Sequence, residues 1–160
     1  MKRIYTIYGL FLLAILITGL VGIRLSRITG VHGAIRKLGG GEGAYRQARY
    51  ELVLGSDNPV MPLGEFITDP ETPDPARVHA LRILGEIAAH QAIDTVNDAI
   101  AAQLSSTSPE VRSAALEALG KSRSPKGIET VTDVFLTAVD TATFQAAFRC
   151  LEQMVEPIID

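Results

Sequence analysis

The chain has 160 residues, a net charge of −3 and one cysteine, Cys150. That length holds one ordinary domain plus an appendage, and one cysteine excludes an internal disulfide or a cysteine-built metal cluster. The charge is uneven: residues 1–50 hold eight bases against one acid, a net of +7, and residues 51–160 hold seven bases against seventeen acids, a net of −10, which excludes nucleic acid as a partner of the acidic body because phosphate is repelled.

Residues 4–23, "IYTIYGLFLLAILITGLVGI", carry no charge. As a helix rising about 1.5 Å per residue, such a run spans a hydrocarbon layer of about 30 Å. Lys2 and Arg3 precede it, Arg24 and Arg27 close it, and Tyr5 and Tyr8 lie near one boundary, where amphipathic rings settle. The run outlasts the apolar core of a signal peptide, roughly 7–15 residues, and no Ala-x-Ala cleavage site follows. Residues 1–23 are therefore expected to form a retained single transmembrane anchor. Ala14, Thr18 and Gly22 share one face, where small residues let a second transmembrane helix approach. Two bases before the span and four close behind it favour a cytoplasmic body by the positive-inside rule. A short Met-Lys-Arg start also suits anchors that send the C-terminus outward, so the external side stays open.

Residues 24–43 read as a basic juxtamembrane segment and a hinge. Leu25, Ile28, Val31, Ile35 and Leu38 recur at spacings of three and four, with Arg24, Arg27, Arg36 and Lys37 between them. That pattern suits a stretch lying among lipid headgroups. "GGGEG", 39–43, then promises a flexible hinge.

Residues 44–160 repeat themselves. "DPARVHALRILGEIAAHQAIDTV" and "PEVRSAALEALGKSRSPKGIETV" align without gaps at an offset of thirty-five. Arg77 meets Arg112, Ala80 meets Ala115, Leu81 meets Leu116, Leu84 meets Leu119 and Gly85 meets Gly120. The offset carries on to Leu151 and Glu152. In each unit Asp74-Pro75 or Ser108-Pro109 opens a helix, and Gly85 or Gly120 is expected to stop it. A second amphipathic helix follows, with Ile93, Val96 and Ile100, then Ile128, Val131 and Phe135, on one face. Helix pairs at such a period stack into a solenoid, since one pair cannot bury its own apolar stripe. First helices are expected at 60–68, 92–104 and 126–139, and second helices at 76–87, 110–121 and 144–155. A further helix near 44–54 caps the stack. The fold class is thus all-α: a short α-solenoid of about three helix pairs behind one transmembrane helix.

"SPEVRSAALEALG" and, less closely, "DPARVHALRILGE" resemble the HEAT-repeat family, including its short bacterial lyase-like variant. The resemblance covers residues 59–156. The last unit, "TATFQAAFRC", lacks the Asp-x-x-Val-Arg opening, as a terminal cap does. The resemblance implies a scaffold, assembly factor or accessory subunit that binds protein partners in a membrane complex. The lyase-like branch implies a cofactor-maturation enzyme as the alternative, and no residue here carries that chemistry over. In HEAT stacks the second helices line the concave side, which puts His79, Arg82, Glu86, Ser113, Glu117, Lys121, Phe148, Arg149 and Glu152 on the candidate partner-binding face. Phe148 is either its anchor or a core aromatic of the irregular last repeat.

The catalytic signatures are missing from the sequence. His32, His79 and His90 have no metal-ligand spacing, and no nucleophile elbow or phosphate loop occurs. The chain is therefore expected to need no cofactor or metal and to catalyse nothing. Cys150 stands where Ala115 stands one repeat earlier, which makes it a small core residue. Arg77 and Arg112, matched at their helix starts, are expected to form a structural ladder.

Overall fold

The computed structural model describes residues 30–155 except Ser56, Gln91, Ala92 and Val139. The uncharged run 4–23, with Ala14, Thr18 and Gly22, lies outside the described residues, as do Arg24 and Arg27. Among the described residues the regular elements are all helices. None of them is long and apolar enough to cross a membrane.

Helical residues 30–36 form α1, followed by a 3-10 turn at Lys37–Gly39. Then come α2 (Glu42–Leu54), α3 (Val60–Thr68), α4 (Asp74–Ala88), α5 (Asp94–Ala102) with a 3-10 turn at Gln103–Ser105, α6 (Pro109–Ser122), α7 (Pro125–Thr137) and α8 (Thr141–Val155). The pairs α3/α4, α5/α6 and α7/α8 fall within a few residues of the expected bounds. They stack in two rows. α4, α6 and α8 lie side by side, and α3, α5 and α7 form the second layer. α2 continues the first row by packing on α4.

The caps follow from local chemistry. The Ser108 hydroxyl accepts the Val111 N–H at the start of α6, with Pro109 in the first turn. Before α8, Asp140 accepts the Thr143 N–H at 2.7 Å. The core is the expected one. Leu81, Leu84, Ile93, Val96, Leu116, Leu119 and Val131 are buried. Ile128 and Leu151, also expected inside, are half-buried. Both belong to the α7/α8 pair, on which no further helix packs among the described residues.

Two expectations need correction. Gly85 and Gly120 do not stop their helices: α4 runs on to Ala88 and α6 to Ser122. Both glycines are buried inside the helix, where the neighbouring helix comes too close for a side chain. A Cβ on Gly120 would stand 3.1 Å from Cys150 Sγ and 3.4 Å from its Cα. The break after α6 falls instead at Arg123, whose φ of 49° is left-handed.

The second correction concerns residues 30–43. Ala34, Ile35 and Leu38 are buried in the protein's own core, so their apolar face turns towards α2 and α4 rather than towards lipid headgroups. Lys37 is held by Glu51 through contacts of 2.8 and 3.0 Å. The expected hinge at 39–43 is a tight corner. Gly39 closes the 3-10 turn, Gly41 caps α2 and Gly43 already lies within it. Burying three apolar side chains is worth several kcal/mol at about 25 cal/mol per Å², which outweighs the freedom of a glycine run.

Candidate functional site

The expected partner-binding residues lie along α4, α6 and α8, and the fold divides them by their neighbours. His79 is not on an open face. Its ring stacks on Tyr45 with centroids 4.1 Å apart, and its Nδ1 lies 3.0 Å from the Leu38 carbonyl oxygen. Glu86 is engaged from the same side, since Arg49 of α2 donates to both its carboxylate oxygens at 2.8 Å. Burial, joined by the Glu86 charge, raises the Tyr45 phenol above its ordinary value. α2 thus covers the first step of the row. Sequence reasoning missed this because α2 carries no repeat motif.

Arg82 stays exposed. Further along, Ser113, Glu117, Arg149 and Glu152 are exposed, and Lys121 reaches back to Glu117 at 2.6 Å. Ser113, Glu117, Ala146, Arg149, Cys150 and Gln153 line an open, polar cleft of about 280 Å³ between α6 and α8. At its floor Cys150 is 2% exposed, and burial pushes its thiol up to about 12. A thiol of that kind packs rather than attacks. The described residues contain no group of three or more His, Cys, Asp or Glu placed to hold a metal ion.

The arginine ladder is structural, as expected. Arg77 donates to the carbonyls of Asp69 and Thr72 at 3.1 and 3.0 Å, closing the loop before its own helix. Arg112 does the same with Ser106 and Thr107 at 2.8 and 3.1 Å. It also reaches Asp140 at 3.2 Å and so ties the α5/α6 pair to the turn before α8.

Phe148 is 48% exposed, which removes the core-aromatic alternative. It is not alone. Phe135 of α7 stacks on Phe144 at 4.7 Å and meets Phe148, tilted, at 6.3 Å. Leu136 stands 73% exposed on α7. Phe148 therefore belongs with α7 at the outer end of the stack. Phe144 and Phe148, four apart in α8, were the available sequence signal for this cluster.

The family comparison agrees with the fold. The profile of HEAT repeats matches residues 60–152. The crystal structure of an engineered protein is similar at 22% identity and a TM-score of 0.47, with 79% of this chain covered. The match spans 63% of that engineered chain. The comparison with curated proteins finds no match.

Proposed function

The chain belongs to the HEAT-repeat family, and from that premise we propose that it is a membrane-tethered protein–protein interaction module. It serves as a scaffold, assembly factor or accessory subunit of a membrane complex and catalyses nothing itself. HEAT repeats commonly mediate protein–protein interaction. The observation that carries the reading is the stack. α4, α6 and α8 spend their inward side chains on one another and leave Arg82, Ser113, Glu117, Arg149 and Glu152 to solvent as an outward surface. The tether rests on the uncharged residues 4–23 and their basic flanks. Charge counting favours the cytoplasmic side for the repeats.

The test is cross-linking with mass spectrometry on the protein in its native membranes, together with protease protection of sealed vesicles. Cross-links from α4, α6 or α8 to one recurrent membrane-complex subunit are expected, with carbonate-resistant membrane association. Recovery in the carbonate-soluble fraction removes the tether. Cross-links confined to copies of the chain itself remove the scaffold reading.

A further inference from the structure

We propose that the C-terminal end of the stack is a docking face for an α-helix of a partner protein, one whose apolar stripe is flanked by lysine or arginine, laid along α8 as α8 is laid along α6. The inference deepens the interaction-module reading and rests on it. The first support is where exposed apolar bulk lies. Among the described residues the large hydrophobic side chains left exposed are Tyr50, Leu54 and Met61 near one end and Leu136, Phe144 and Phe148 at the other. From residue 62 to 135 the described large hydrophobics are covered or partly covered.

The second support is register, which makes this face continuous with an interface the fold already uses. Phe144, Phe148 and Leu151 stand thirty-five residues after Pro109, Ser113 and Leu116. On α6 that row faces α8: Ser113 lines the cleft the two helices share, and Leu116 is fully buried. On α8 the same row has no following helix among the described residues, yet serine has become phenylalanine. A terminal repeat that only closes a solenoid presents a polar outer face. The last described repeat instead presents two exposed rings, Phe144 and Phe148, each packed on the half-buried ring of Phe135, which is how interface anchors are built.

The third support is charge, and it selects the occupant. Glu129 and Asp133 lie seven and three residues before Leu136, on one helical stripe, and Glu152 lies four after Phe148. α7 and α8 with their joining turn carry four acids, adding Asp140, against Lys126 and Arg149. Asp140 is engaged by Arg112. Glu129, Asp133 and Glu152 are exposed on the same helical stripes as Leu136 and Phe148, the complement of a helix with basic flanks.

The test uses the full chain in detergent and three fluorescent sixteen-residue helical peptides. One has an alanine-leucine stripe flanked by lysine, one the same stripe flanked by glutamate, and one is the lysine peptide scrambled. Anisotropy should show the lysine peptide binding at least tenfold more tightly than the other two. Phe148→Ala should lose that advantage. So should Leu136→Lys, which places a base on the face at a position too exposed to disturb the core. Leu54→Ala at the opposite end should keep it, and since micelle uptake is common to all variants, the difference reads the face alone. Equal binding of all three peptides, or unchanged binding in both face variants, overturns the proposal. So does a concentration-dependent rise in mass that Phe148→Ala abolishes, because it assigns the face to a second copy. If the peptides fail while native cross-links cluster on Arg82, Ser113 and Glu117, the docking face is lost and the interaction module stands.

Discussion

Gly85 of α4 faces Ala118 of α6 so closely that a Cβ on Gly85 would stand 3.1 Å from the Ala118 Cα. One repeat on, Gly120 meets Cys150 in the same way. The two glycines set how near successive second helices approach, and the small residues Ala118 and Cys150 complete the fit from the other side. Helix spacing in this stack is thus written at pairs of small residues thirty-three and thirty apart in the chain.

Gly85→Ala should therefore destabilise the protein. Helix propensity alone predicts the opposite, a gain of about 1 kcal/mol. The methyl group would press on backbone as well as side chain, and overpacking of that kind costs roughly 1–3 kcal/mol. A urea melt followed at 222 nm decides the sign.

Leu116→Ala should cost about 2–5 kcal/mol, the range for a truncated core leucine. Leu116 is fully buried between α6 and its neighbours, whereas Leu136 is 73% exposed. Leu136→Ala should change stability by no more than about 0.5 kcal/mol. Similar losses for the two variants would contradict the burial pattern.

Asp140 links stability to acid. The Thr143 backbone N–H, then the Thr143 hydroxyl, hold its carboxyl below the ordinary 3.8, with Arg112 adding to the effect. A depressed carboxyl contributes stability that is present above its unfolded value and lost as pH falls through the folded one. Asp140→Asn should thus lower the melting temperature at neutral pH, and the gap to the parent protein should close below about pH 3.8. A constant gap down to the acid transition would show that the side chain acts through shape alone.

Cys150 gives the opposite slope. Burial raises its thiol from 9.0 to about 12, so its protonated form is favoured by folding. That stabilisation is whole below about pH 9 and declines as pH climbs through about 12, at a limiting slope of about 1.4 kcal/mol per pH unit. Cys150→Ala should flatten this part of the stability curve. In the parent protein the thiol should resist alkylation at pH 8 until denaturant is added, which mass spectrometry reads directly.

The repeat was legible in the sequence because it is a local pattern. Apolar residues every three or four positions, a proline in the first turn and a thirty-five-residue offset are properties of neighbouring residues along one chain, and helix pairs follow from them. The core at Leu81, Leu84, Leu116 and Leu119 followed for the same reason. What escaped was everything that depends on which surface meets which. A glycine at the end of an apolar stripe looks the same whether it stops a helix or admits a neighbour, and only the approach of Ala118 to Gly85 separates the two. The amphipathic face of Ile35 and Leu38 fits lipid or protein equally well by its spacing, and the tertiary structure gave it to α2 and α4. His79 was placed on the open face by register, yet α2, a helix outside the repeat, brought Tyr45 down on it. Periodicity says that a side chain must be covered, and it is the packed neighbours, distant in sequence, that decide by what.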